Sequence, residues 1–489
     1  MISRSTRILT LSLYALGFGL AQTTLTPSAA PQVPRQTTAP VPSTSLSGMM
    51  PQGPFGGGLP QGQPAPGSLP LSLSDAIARG LKRNLGLYLS EQGTRTAQAQ
   101  RLYALSGLLP NVAANVSETG EQINLKALGF SVSAFPGIRP VVGPFNIFDA
   151  RLGASQPVLN FQAIRNLRAG NENLRAAQLS ARDARDIVVL VVAGLYLQAV
   201  AGQARIEAVQ AQVNTAQTLY QTAADQKKAG VVPGIDVLRA QVELQAQQQR
   251  LIFYQNEFEK QKLALARAIG LPLAQQFTLA DKVGYTPPPA FGLDQALEQA
   301  YKDRADYRSA SALVAAAEHS KSAAEAGRLP SLQFDGNYGA IGPRPWDSHG
   351  TFTAALGLNI PIFRAGRTRA DILEADAQLQ QRRAQLDDLR NSIEQDVRTA
   401  FLDLKASGDQ VAVARSAVDL AGQQLKQSQD RFSAGVTNNV EVVQSQEAVA
   451  TANDNYISAL FSYNLAKATL ARALGGAETT YLQFLGGGH

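Results

Sequence analysis

The residues that could do chemistry are few. The 489-residue chain has no cysteine and only three histidines, at positions 319, 349 and 489. Without thiols there are no disulfides, thiolate nucleophiles or cysteine-held zinc sites, and the histidines are too scattered to form a metal cluster. His319 falls on a helical stretch, His349 in a loop and His489 at the end, none with a nearby partner for acid–base work. No phosphate-cradling loop, nucleophile elbow, HExxH pair or dinucleotide fingerprint occurs. Gly56-Gly57-Gly58 sits in a Pro-rich stretch where glycine means flexibility, and Asp387-Asp388 reads as ordinary helix-surface charge. The pattern therefore points to no catalytic residue, no metal and no cofactor. The net charge of +6 is spread along the chain without a dense basic run, so it leaves no nucleic-acid footprint.

The elements that surround this absence are more telling. Charged residues make up 17% of the chain, against about 25% in soluble domains, yet the mean hydropathy is only −0.10. Arg4 and Arg7 precede the apolar stretch from Ile8 to Leu20, which ends in Gly19-Leu20-Ala21. This is a secretory signal over 1–21, with an apolar core of about 13 residues, short of the roughly 20 that span a bilayer. Residues 22–70 are rich in Pro, Gly, Ser, Thr and Gln, with Arg35 their only charge, and read as a flexible tether. The apolar run Ile187–Ala201 contains Gln198 and is flanked by Asp186 and Arg205, so it reads as a buried helix. No membrane helix is expected in the mature chain.

The remainder is written twice. Ala229–Gln241 (AGVVPGIDVLRAQ) and Ala434–Gln446 (AGVTNNVEVVQSQ) share Ala-Gly-Val, an acid, Val and Gln in register, and LARAIG from Leu265 returns as LARALG from Leu470. Leu109-Pro110 returns as Leu329-Pro330. Such self-similarity marks one unit used twice, over 71–275 and 292–475, with 276–291 as linker and 476–489 as tail. The change in offset between the copies places an insertion of about 16 residues between Leu109 and Pro157. It falls in the loop expected from about Thr119 to Phe145.

Within each copy apolar residues recur every seven positions. Val192, Ala199, Ile206, Val213 and Tyr220 form one seam, and Val237, Leu244, Leu251, Phe258 and Leu265 a second. The second copy supplies Val397, Leu404, Val411, Val418, Leu425 and Phe432, then Val442, Val449, Tyr456, Tyr463 and Leu470. A strict seven-residue repeat forces left-handed supercoiling. The small and amide residues between the seams suggest several neighbours per helix. Expected helices run over about 161–228 and 367–432, each roughly 100 Å long, with shorter helices over 74–106, 235–269, 294–327 and 440–474.

Between the first and second helix of each copy the period drops to two. Leu332, Phe334 and Tyr338 alternate with Gln333, Asp335 and Asn337, and Phe352, Leu356, Leu358, Ile360 and Ile362 share one face of a second strand. Val112 and Val116 alternate with Asn111, Asn115 and Ser117; Phe148 and Leu152 with Asp149, Arg151 and Ser155. Lipid on one side and water on the other produce this alternation. A small soluble sheet in an exported coiled-coil structural protein of the envelope is the alternative. Four strands cannot close a barrel, and an open edge in lipid leaves backbone groups unpaired at several kcal/mol each. More than one chain must share the barrel.

These twin tip strings, the paired LPN and LPS openings of the strands, and QPVLN and IPIFRAGR after the hairpins resemble the TolC family of outer-membrane efflux proteins. The resemblance covers about 71–475. It implies a homotrimer with a shared 12-stranded β-barrel in the outer-membrane lipid and a long coiled-coil α-helical barrel in the periplasm. Function would be that of a passive exit duct for efflux or type I secretion, fed by a periplasmic adaptor protein and an inner-membrane pump. The resemblance places adaptor docking on Gly230, Val231, Gly435 and Val436. It also places a tunnel-entrance gate at Asp236, Glu441, Thr437 and Gln444, the first two at positions of family acids. Thr437 stands where the family pattern has an arginine that links neighbours, and Gln444 where it has a second acid, so the entrance is expected to be less acidic and less firmly locked.

Overall fold

The computed structural model describes residues 53–60, 62–64, 66–129, 139–281, 284–287, 292–437 and 439–485. The expected signal over 1–21 and the first part of the tether lie outside the described residues. Two helices dominate, α3 (Phe161–Lys228) and α7 (Arg367–Ser433), each about 100 Å long at 1.5 Å per residue. The return helices α4 (Gly234–Ala268) and α8 (Asn439–Ala473) are half that length. Every residue of the four seven-residue seams is buried or half-buried. The run 187–201 lies in the core as expected, with Val188, Val192, Ala193, Tyr196 and Ala199 fully buried in α3.

The two helices expected over 74–106 and 294–327 are each broken in two. The first copy has α1 (Leu73–Arg83) and α2 (Leu85–Ser106); the second has α5 (Leu293–Asp303) and α6 (Ala305–Ala326). The breaks fall at Asn84 and Arg304, both extended, with ψ of 132° and 121°. Asn84 holds its break by accepting from the Gly86 N–H at 2.9 Å and donating to the carbonyls of Phe55 and Ala268 at 2.6 and 3.2 Å. Arg304 instead donates to Asp306 at 3.0 and 2.6 Å and to Asp396 at 3.0 Å. One geometry is thus reached by two chemistries, each relying on partners distant in sequence.

The tether reading also needs correction over its described part. Pro54–Gly56 form a 3-10 turn whose Phe55 packs on the core. Gly58 fits so closely that a Cβ there would lie 2.4 Å from the Arg267 carbonyl oxygen. Strand β1 (Leu69–Leu71) pairs in parallel with β4 (Phe277–Leu279), inside the expected linker. Three apolar side chains with a distant partner strand suffice to dock a segment whose composition alone reads as free. The tail expected over 476–489 begins with the helix α9 (Ala477–Leu485), which packs on α8 and α3.

The period-two segments form one antiparallel sheet in the order β2 (Asn111–Asn124), β3 (Val141–Leu159), β5 (Ser331–Gly342), β6 (His349–Asn359). Its register sets Asn115 opposite Arg151, Ser155 opposite Asp335, and Tyr338 opposite Phe352. The first outer loop is shorter than expected, because β2 and β3 extend into 119–124 and 141–145. Strands β2 and β6 end the sheet, and each has one unpaired edge in the chain.

Candidate functional site

At the far end of each long helix the chain reverses through the same turn. In the first copy the Gly230 N–H donates to the Lys227 carbonyl at 3.0 Å and the Val231 N–H to the Gln226 carbonyl at 2.9 Å. In the second, Gly435 donates to Phe432 at 3.0 Å and Val436 to Arg431 at 2.9 Å. This pair of bonds satisfies the last carbonyls of a helix when the next residue is left-handed. Gly230 and Gly435 supply that conformation with φ of 72° and 70°. The turn thrusts Val231 and Val436 outward, 65% and 70% exposed. Nothing lies within 4 Å of a Cβ built on either glycine, so these turns are free to be covered.

The two tips are tied to each other. Fully buried Asn439, in the first turn of α8, donates to the Asp236 carbonyl in the first turn of α4 at 3.1 Å. Leu219, Ala223, Ala240, Phe432 and Val442 form the small core beneath. Asp236 is buried and takes Arg239 at 3.2 Å, unlike the tunnel-facing acid that the resemblance implies. Glu441 is half-buried, accepts from the Thr437 hydroxyl and has Arg431 at 3.5 Å. Thr437 therefore bonds within its own chain, and Gln444 stands exposed on the next turn. Arginine partners, one three residues away from Asp236 and one across the turn from Glu441, set the surroundings of these two acids.

The sheet is two-faced. Asn111, Asn115, Ser117, Asp149, Arg151, Ser155, Asp335 and Asn337 line its concave side. There Arg151 donates to Asp149 through two guanidinium nitrogens, the Nε bond measuring 2.6 Å. The opposite face is apolar and bare: Tyr338 and Phe352 are 71% and 76% exposed, beside exposed Val112, Val116, Leu152 and Leu356. A sheet in water hides its apolar face, whereas a barrel in lipid displays it.

A third feature has no local sequence signal, a buried charge cluster where the copies meet. Arg472 pairs with Asp183, Arg185 with Glu478, and the Glu478 N–H donates to Asp186 at 2.9 Å. Burial raises the pKa of Asp183, with Arg472 opposing, and raises that of Asp186, with the Glu478 N–H opposing. Asp306 is raised by burial but pulled below its ordinary value overall by the Arg304 bonds. Lys467 is only 1% exposed, donates to the Thr286 hydroxyl, and lies 5.5 Å from the centre of the Tyr463 ring. Burial lowers its pKa to about 8. Among the described residues no group of three His, Asp or Glu side chains could hold a metal.

Comparison with known proteins follows the same features. A sequence profile described as outer membrane efflux protein matches residues 77–271 and 296–476. The pyoverdine export outer membrane protein of Pseudomonas aeruginosa is 25% identical over 418 residues, covering 83% of this chain and 85% of that protein. The alkaline protease secretion protein of the same organism is 22% identical over 338 residues, covering 67% and 69%. The solved Campylobacter jejuni CmeC outer membrane channel superposes with a TM-score of 0.73 at 17% identity, over 83% of this chain and 86% of that one.

Proposed function

This chain belongs to the outer membrane efflux protein family, and we propose that three copies of it close into one exit duct loaded from the periplasm. The chain is an outer-membrane channel that conducts substrates passively to the exterior. The carrying observation is a polar-in, apolar-out sheet with two free edges standing on a helical wall about 100 Å long. Each free edge costs several kcal/mol per unpaired group in lipid. The edge of β6 in one copy meeting β2 of the next removes that cost, and three copies give 12 strands. Exposed apolar residues on the helices, among them Leu402, Val413 and Leu420 of α7, supply a second surface for neighbouring copies.

Energy comes from partners, because the chain holds no nucleotide motif. The Val231 and Val436 turns are the docking points for a periplasmic adaptor, which joins the duct to an inner-membrane pump. Asp236, Glu441, Thr437 and Gln444 surround the entrance. The intrachain contacts of Asp236, Glu441 and Thr437 make each chain's tip a prefabricated unit, so closure rests on packing between chains. The reading is tested by extracting the protein from outer membranes in mild detergent. A complex three times the chain mass that dissociates on heating, and that forms ion-conducting pores in planar bilayers, is expected. A monomer without conductance refutes the reading.

A further inference from the structure

Two helical hairpins lie side by side in each chain, α3 with α4 and α7 with α8, and α3 and α4 both touch α8. Their seams are apolar, but glutamines sit where the hairpins meet: Gln212 on α3, Gln247 on α4 and Gln446 on α8. Gln247 and Gln446 are only 3% and 6% exposed. Buried amides are normally hydrogen-bonded, and pairing across a helical core would achieve that. These three do not pair. Gln446 has a partner for neither its Nε2 nor its Oε1, and the Oε1 atoms of Gln212 and Gln247 also lack one.

All three glutamines line one cavity of about 250 Å³. Roughly 10–15 Å³ admits a single water, and drug-sized pockets hold about 300–1,000 Å³, so this space suits a small molecule. Part of its wall is apolar, from Ala208, Ala211, Leu425 and Val449. Half-buried Glu243 also lines it and accepts from the Gln247 amide at 2.7 Å. Among the described residues Glu243 forms no ion pair: Arg205 and Arg250, on the same two helices, bond instead to Asp454 at 2.8 Å and Glu447 at 3.2 Å. The cavity thus offers three amide oxygens and a carboxylate as acceptors, against the single free donor of Gln446. Acceptors in that excess, with one negative charge, call for a cation rich in N–H donors. A bare hard ion would want oxygen on most sides, and the apolar wall denies it that.

We infer that this cavity binds a small organic ammonium, its charged head among Glu243, Gln247 and Gln446 and its alkyl body along Ala211, Leu425 and Val449. Because the amides come from α3, α4 and α8, the bound amine bridges the two hairpins. The site is complete within one chain, so it goes beyond the three-copy reading and does not depend on it.

The test is calorimetric titration of the full-length protein, purified from outer membranes, with n-butylamine and with 1-butanol as its uncharged match. Glu243→Gln and Gln446→Leu are titrated alongside the unsubstituted chain, with circular dichroism showing that each is folded. The inference expects the amine to bind the unsubstituted chain at least tenfold more tightly than butanol does, and at least tenfold more tightly than it binds either variant. Amine binding that is absent, or equal in all three folded proteins, overturns it. Binding of potassium chloride in place of the amine assigns the cavity to an inorganic ion and overturns it as well. Neither result touches the duct, whose own test reads chain assembly and conductance.

Discussion

Replacing Gly435 by Trp separates folding from docking. The residue is left-handed with φ of 70°, a conformation that costs a non-glycine residue about 1–2 kcal/mol. Nothing lies within 4 Å of its added Cβ, so the indole extends into solvent and the cost stays near 1–2 kcal/mol. The helix-ending bonds of Gly435 and Val436 use backbone atoms and survive. A protein with two long coiled coils tolerates that loss, so expression and heat-dissociable trimers should fall by less than half. An adaptor covering the turn would meet a bulky ring, and export in a deletion strain should drop at least tenfold, with loss of in-cell cross-linking to the adaptor. The control is Gly58→Ala, which forces a Cβ to 2.4 Å from a backbone oxygen far along the sequence from the tips. It should lower the amount of folded protein while leaving export per folded trimer unchanged. Undiminished export by Gly435→Trp would refute the docking role.

Other expectations follow from the same contacts. Lys467 has a folded pKa of about 8, below its ordinary 10.5, so the unfolded chain binds more protons between these values. Stability should therefore rise from pH 8 to 10.5 by up to about 3 kcal/mol, read as unfolding temperature, and Lys467→Met should abolish the rise. Arg304→Ala leaves half-buried Asp306 without its guanidinium partner and should cost about 1–3 kcal/mol, seen as a lower unfolding temperature with the break between α5 and α6 exposed to protease. On the sheet, Leu356→Arg puts a charge on the lipid face and should cost about 2–4 kcal/mol, reducing trimer yield. By contrast, Asn337→Arg on the concave side should preserve trimers and shift ion selectivity in planar bilayers toward anions.

Much of this fold is legible in the sequence because its periods are long and unbroken. Seven-residue seams set α3, α4, α7 and α8 to within about a residue, and strict alternation gave the sheet its two faces. What escaped depends on partners far away in sequence. Asn84 and Arg304 look like any polar residue in a helix until the Phe55 carbonyl or Asp396 is placed beside them. Strand β1 needs Phe277–Leu279 to exist, and Asp183 needs Arg472, 289 residues later. The outer ends of β2 and β3 escaped because a Gly- and Pro-rich composition hid the pairing of 119–124 with 141–147. At the tips a motif singles out Asp236 and Glu441, but the burial of Asp236 and the approach of Arg431 to Glu441 follow from how the chain packs there.

The central claim is that copies of this chain close each other's sheet edges. Electron cryo-microscopy of the protein in lipid nanodiscs tests it directly. The account predicts a three-fold particle in which β6 of each chain is hydrogen-bonded to β2 of the next, with Tyr338 and Phe352 facing lipid. A particle in which either edge remains unpaired, or in which the concave polar face meets lipid, would contradict it.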